Sequence, residues 1–238
     1  MIGFGICVGS QERADRWARP GIERSGDPSS PLLVRTGQRS ICAAYNSILE
    51  EASGWDLDAL VLIHDDVELR DGALGNKLRS LFADSSVGVV GAVGARNVRS
   101  LAWWEGQCRG RAPDTFRPND YGGGTHEADT VDGLLLALSP WAMRNVRFDQ
   151  THFGRFHGYD ADYCFQLRAH GRTVLVTDLD LYHHTKGGYG NHLAWKQADM
   201  MWQRKWRYSP ATPGDRLRWQ LLYRVLGIKR ALRAASRR

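Results

Sequence analysis

The sequence predicts an α/β protein: a mostly parallel central sheet between two layers of helices, with a helical appendage at the C-terminal end. Two patterns carry this expectation. Strand-sized apolar runs alternate with helical periodicity over the first ~95 residues, the order that βαβ units produce. The run Ala59–Ile63 is apolar throughout, as suits a strand buried on both faces of a parallel sheet. A chain of 238 residues can bury a substantial core, and 42% apolar with 24% charged residues is an ordinary globular composition.

Each element has its own signal. Ile2–Val8 reads as the first strand, ended by Gly9-Ser10. The polar, Gly- and Pro-containing stretch Gln11–Pro31 has no assigned element, and Leu32–Val34 is a short second strand. Ser40 can cap a helix that carries Ile41, Tyr45, Ile48, Leu49 and Ala52 on one face. After Ala59–Ile63 come a helix through Leu74, Leu78, Leu81 and Phe82 and a strand over Val87–Val93. Gly94–Asp129 is rich in Gly, Arg and Trp without strong periodicity, and reads as one long loop of functional length. The pattern resumes with Leu134–Leu138, a helix from Asp160 to His170 stopped by Gly171, and the strand Thr173–Thr177. One domain over residues 1–208 and an appendage over 209–238 is the simplest organisation.

Charge separates the same two parts. The net charge is +6, yet Arg204–Arg238 holds eleven Lys or Arg against one acid, Asp215, so the remainder is mildly acidic. Leu217, Leu221, Val225, Ile228 and Leu232 form a helical stripe in this tail, with Trp219 and Tyr223 at its flanks and arginines mostly off it. Such a helix either lies on an anionic membrane surface or packs on its own domain. No recognition motif accompanies the charge, so no nucleic-acid partner is expected.

Other classes fall away. No run approaches the ~18 apolar residues of a membrane span, and Met1–Ser10 lacks the basic start of a signal peptide. Cys7, Cys42, Cys108 and Cys164 show no C-x-x-C spacing, which argues against zinc and fits a reducing compartment. The expected location is the cytoplasm, at the inner face of the membrane if the tail binds lipid.

Chemistry concentrates at strand ends. His64-Asp65-Asp66 follows the buried strand, where open α/β sheets bind ligands, and could hold Mg²⁺ or Mn²⁺. On a continuing strand His64 and Asp66 share a side while Asp65 faces away. Asp160 stands where a helix begins, as an N-cap or as a general base. His183-His184 follows the last strand and could supply a further ligand beside Asp66; a surface role is the alternative. Trp103-Trp104 either stacks on a base or sugar ring or covers the core.

Taken in order, these motifs resemble the inverting glycosyltransferases of family two, with the GT-A fold, in the branch whose metal motif reads His-x-Asp. The resemblance runs from Ile2 to about Tyr208. It implies that Ser10 closes the first strand near the nucleotide base and that Asn46, ending Ala44-Tyr45-Asn46, lies beside the nucleotide. His64-Asp65-Asp66 takes the place of the D-x-D motif, with Asp66 as main metal contact, Asp65 at the donor and His64 where the first Asp is usual. Asp132-Gly133 would lie under the donor sugar; Trp104, from its own aromatic chemistry rather than the resemblance, is a candidate to stack on the donor. Phe148-Asp149 matches the segment leading into the acceptor loop. Tyr159-Asp160-Ala161-Asp162 is similar to Glu-Asp-x-Asp, with Asp160 as base and Tyr159 where Glu is usual. His183 matches a metal-binding His, with His184 the next choice, and Gln203-Arg204-Lys205-Trp206 resembles a segment that closes over the diphosphate. The implied reaction is an in-line displacement with inversion from a nucleotide-sugar to an acceptor hydroxyl, with Mn²⁺ or Mg²⁺. UDP, GDP and dTDP donors stay open, as do saccharide, lipid-linked and small-molecule acceptors. The competing readings are a metal-dependent phosphohydrolase or nucleotidyltransferase acting on nucleotide-sugars, and a non-catalytic adaptor.

Overall fold

The computed structural model describes residues 1–187 and 191–208. Strand β1 (Ile2–Val8) leads into α1 (Gln11–Arg13), a π-helical turn over Ala14–Ala18, and α2 (Arg19–Ser25). Next come β2 (Leu32–Thr36), α3 (Ile41–Ala52), β3 (Ala59–His64), β4 (Val67–Leu69), α4 (Leu74–Phe82) and β5 (Val87–Gly91). The middle of the chain holds β6 (Val93–Arg96), a 3-10 turn (Trp103–Glu105), β7 (Gln107–Gly110), β8 (His126–Ala128), β9 (Thr130–Val131) and β10 (Leu135–Leu138). Then follow α5 (Pro140–Asn145), α6 (Tyr159–Ala169), β11 (Thr173–Val176), β12 (Leu181–His183) and α7 (His192–Lys205). Residues Met1–Trp202 form one compact unit.

The main sheet has seven strands in the order β2-β1-β3-β10-β5-β11-β8. β1 pairs parallel with β2 and β3, and β11 parallel with β5. β10 enters antiparallel between β3 and β5, and β8 closes the far edge antiparallel to β11. The sheet is therefore mixed but mostly parallel. Side chains alternate across it with period two. Ile2, Phe4 and Ile6 share a core with Ala18, Ile22, Leu74 and Leu78, whereas Gly5 faces Ile48 of α3 on the opposite side. Helices thus cover both faces, the expected three-layer α/β/α arrangement. Each Ile, Leu or Phe side chain buried here contributes about 1.5–3 kcal/mol relative to exposure.

Two short sheets continue from the carboxyl ends of the main strands. β4, three residues beyond β3, pairs antiparallel with β12, setting His183 opposite Val67. β6, two residues beyond β5, pairs antiparallel with β7 and β9.

The structure departs from the expected elements in several places, among them β12, which makes His183 a strand residue where it was expected to follow the last strand. Gln11–Ser25 is largely helical, because Pro20 falls in the first turn of α2, where its missing N–H is harmless. Gly21 also lies so close to β4 that an added Cβ would sit 2.6 Å from the Leu69 nitrogen. The expected strand Val87–Val93 is two strands, β5 and β6, in different sheets. Gly94–Asp129 is not one loop but contains most of β6, all of β7 and β8, and the 3-10 turn. Asp160 is not an N-cap: Gly158 caps α6 in the left-handed region, φ 79°, and Asp160 is the second helical residue. The basic tail over 209–238, with its expected amphipathic helix, lies outside the described residues. Among the described residues no helix is long and apolar enough to cross a membrane.

Candidate active site

The last residue of β3, the turn after it and the last residue of β12 meet at the carboxyl edge of the sheet. His64, Asp66 and His183 each direct one ligand atom into a group in which all lie within 4.8 Å of one another. His183 Nε2 stands 3.2 Å from Asp66 Oδ1. The β4–β12 ribbon places it there, since the His184 N–H donates to the Asp66 carbonyl at 2.8 Å. Asp66 is buried, 8% exposed, and its Oδ1 has no well-formed hydrogen bond.

Electrostatics couple the three side chains. Burial pushes the Asp66 pKa up, but the adjoining His183 ring and the nearby His64 and Arg13 charges overcome it and hold the carboxyl down at about 2. Burial opposes charge on His183, yet Asp66, helped by Asp132 and Asp114, leaves its pKa above the ordinary value. Burial dominates at His64 and lowers its pKa.

Asp65 turns the other way. Its Oδ2 accepts from the Gly9 and Ser10 amides, both at 2.7 Å, and its Oδ1 lies 2.9 Å from Arg13 Nη2. Arg13 also reaches Asp66 Oδ2 at 3.5 Å, so one guanidinium sits between the two neighbouring carboxylates. Ser10 caps α1 through Arg13 N–H, and the Asn46 amide bonds the Phe148 backbone twice, donating to its carbonyl oxygen and accepting from its N–H, both at 2.8 Å.

A cleft of about 1180 Å³ opens over this edge. His64, Asp66, His183, Asp132, Gly133, Tyr159, Asp160 and Trp104 all line it. Ser10, Asn46 and Asp65 are not among its lining residues. The structure therefore brings together the predicted ligands, base and sugar-side segment, and sets those three behind them.

Asp160 enters this cleft from the first turn of α6. Its Oδ2 accepts from the Gly133 N–H at 3.0 Å. Burial, then the Asp132 charge, raise its pKa to about 6 against the lowering pull of backbone amides. Gly133 admits no side chain, because an added Cβ would lie 2.1 Å from the Tyr159 hydroxyl. Tyr159 itself is buried, and its hydroxyl lies 2.6 Å from His64 Nε2 and 3.0 Å from the Gly133 carbonyl oxygen.

Comparison with known proteins fits this geometry. The profile of a "Glycosyltransferase like family" matches residues 32–186. The Streptomycin biosynthesis protein StrF of Streptomyces griseus is 37% identical over 222 residues, covering 91% of this chain and 78% of that protein. The chain belongs to the glycosyltransferase-like family.

Solved structures agree on the fold of this glycosyltransferase. The mannosyltransferase PcManGT from Pyrobaculum calidifontis, in complex with GDP-Man and Mn²⁺, superposes with a TM-score of 0.55 at 14% identity. That match covers 89% of this chain and 66% of the other. GalNAc-T7 with UDP, GalNAc and Mn²⁺ gives 0.55 at 11% identity, over 80% of this chain and 44% of that one. A197 from STIV gives 0.53 at 12% identity, covering 78% and 86%. The architecture is of the GT-A type.

Two features of this cleft, the Arg13 guanidinium and the Tyr159 hydroxyl, have no assigned role in the sequence. Arg13 lies in the stretch left without an element, although its position three residues after the Ser10 cap was a usable signal. The Tyr159 hydroxyl was hidden because a tyrosine beside a helix start reads as a core aromatic.

Proposed function

We propose that this glycosyltransferase moves a sugar from a nucleotide-diphosphate sugar to an acceptor hydroxyl with inversion, assisted by a divalent metal. The observation that carries the reading is the convergence of His64, Asp66 and His183 with Asp160 in a single cleft. The neighbours solved with GDP-Man or UDP and Mn²⁺ support the donor class and the metal. The relative named for streptomycin biosynthesis favours a small molecule among the acceptors. In this reading residues 1–208 are the catalytic domain, and the basic segment 209–238 is an appendage with two candidate partners, an anionic membrane surface or the domain itself.

His64, Asp66 and His183 would hold the metal. The buried Asp66 Oδ1 without a well-formed bond fits that role, and two imidazoles with one carboxylate suit Mn²⁺ or a similar ion. When bound, such an ion offsets charge on a departing diphosphate. Asp160 is the general base. The Gly133 N–H holds its Oδ2, which fixes the carboxylate at the cleft. As the acceptor oxygen bonds to the anomeric carbon, the bond from that carbon to the diphosphate oxygen breaks and Asp160 takes the hydroxyl proton. A pKa of about 6 keeps the carboxylate ionised at neutral pH while raising its basicity.

This sets a pH profile. Asp160 works only ionised, so kcat/KM should fall as pH drops below about 6 and level off above it. A flat profile between pH 5 and 7.5 removes Asp160 from the role.

The function itself is tested by a thermal-shift panel of UDP, GDP and dTDP, each with and without Mn²⁺. A nucleotide at 100-fold its Kd stabilises by about 2.7 kcal/mol. For a domain of this size that raises Tm by roughly 5–10 °C. One nucleotide should stabilise strongly, and mainly with Mn²⁺; a flat panel sinks the assignment. Donor hydrolysis at full rate without any acceptor points instead to a phosphohydrolase.

A further inference from the structure

Tyr159 stands between the proposed metal cluster and the start of α6, and its hydroxyl has two neighbours. One is the Gly133 carbonyl oxygen at 3.0 Å, which can only accept. The other is His64 Nε2 at 2.6 Å, which accepts or donates according to tautomer. A tyrosine has one hydroxyl proton. Donated to Gly133, it leaves the oxygen lone pairs facing His64, so Nε2 must carry the imidazole proton. The opposite assignment would set the hydroxyl lone pairs against the Gly133 oxygen in a buried site, two acceptors 3.0 Å apart.

We infer that Tyr159 is a positioning residue that locks His64 in its Nε2–H tautomer and so reserves Nδ1 as the metal-binding atom. The inference rests on the proposed metal role of His64. A neutral imidazole has one N–H and one lone pair, so fixing the proton on one nitrogen presents the other as ligand. A metal-binding histidine is commonly held by a partner of this kind on its far nitrogen, and loss of such a partner typically costs 10–100-fold in metal affinity.

The surroundings hold the hydroxyl in place. Its ring packs against Tyr45, at a centroid distance of 5.8 Å, and Phe148, at 6.1 Å. Gly133 has no Cβ to block it, as noted above. This accounts for a tyrosine at position 159: a phenol reaches both His64 and the Gly133 carbonyl while its ring joins an aromatic core.

The test is read first on metal-free wild-type protein. Long-range ¹H–¹⁵N correlation of the histidine rings, with His64 assigned by comparison with His64→Gln, reports which nitrogen is protonated. The expected signature is protonated Nε2 and unprotonated Nδ1. In Tyr159→Phe the Nδ1–H form should appear, and Mn²⁺ affinity measured by electron paramagnetic resonance should fall about 10–100-fold. The wild-type spectrum decides even if Tyr159→Phe does not fold. A dominant Nδ1–H form in a wild-type protein that binds Mn²⁺ overturns the inference and leaves the proposed function standing. A folded Tyr159→Phe with unchanged tautomer and unchanged Mn²⁺ affinity overturns it as well. A wild-type protein that shows Nε2–H but takes up no Mn²⁺ removes the metal centre, and the ligand role of Nδ1 with it.

Discussion

Asp160→Asn should lower turnover at least about a hundredfold while leaving donor binding nearly intact, since general-base catalysis typically supplies 10²–10⁴-fold. The amide oxygen can still accept from the Gly133 N–H, so the side chain stays where the carboxylate was. What it loses is the ability to take a proton. Stability provides the control, and its sign follows from the pKa. Burial raises the Asp160 carboxyl from 3.8 to about 6, so the folded state favours the neutral acid. Stability linked to this group is fully present below about pH 3.8 and is lost as pH rises through about 6. At pH 8 the wild type therefore carries an ionised, partly desolvated carboxylate that the variant lacks. The variant should melt at or above the wild-type temperature, a common relation at sites shaped for reactivity. Steady-state turnover, nucleotide titration and a melting curve check the three parts. Wild-type-like turnover would exclude Asp160 as the base.

Asp66→Ala should remove the Mn²⁺-dependent part of the nucleotide thermal shift and lower turnover by at least about a hundredfold. Loss of an outer partner alone costs 10–100-fold in metal affinity, and a direct ligand should count for more. The carboxylate sits among His64, His183 and Arg13, and those charges hold its pKa at about 2. Its removal takes away the one anion of the three-residue cluster. The fold should survive, because Arg13 keeps its closer partner, Asp65, and Asp65 keeps the Gly9 and Ser10 amides. Melting with nucleotide, with and without Mn²⁺, separates the outcomes. A metal-dependent shift that persists would place the metal elsewhere.

The parts of the fold legible in sequence are those with local causes. β1 spans Ile2–Val8 as expected, and α3 begins after Ser40, whose hydroxyl accepts from Ala43 N–H. α4 covers Leu74–Phe82, the segment its leucine spacing marks. The illegible parts depend on partners far along the chain. Gly94 and Ala95 are strand residues because Val131 and Thr130 lie opposite them, and Gly110 because Val93 does. Nothing in a window of ten residues reports such pairings. α2 was missed for another reason: Pro20-Gly21 reads as a break, whereas the preceding π turn sets that pair in a first turn against Leu69.

The site divides in the same way. His64, Asp66, Asp132, Asp160 and His183 sit at strand ends or a helix start, where ligands gather in open α/β sheets, and the structure lines one cleft with all of them. Asp65 could be sorted from its neighbours by strand alternation, and its carboxylate does turn onto Gly9 and Ser10. Arg13 and the Tyr159 hydroxyl matter through what they touch, and a contact between residues 64 and 159 leaves no mark in spacing.

The β4–β12 ribbon has a consequence for how this chain acquires activity. Its two strands are more than a hundred residues apart, and His184 bonds Glu68 across a separation of 116. Closing so long a loop carries an entropic penalty that only the finished sheet between them repays. His183 reaches Asp66 only once that ribbon zips, so secondary structure and hydrophobic collapse can be well advanced while the molecule is still inert. In the proposed reading, the metal cluster is thus completed by pairing between distant parts of the chain, which no local element can assemble alone.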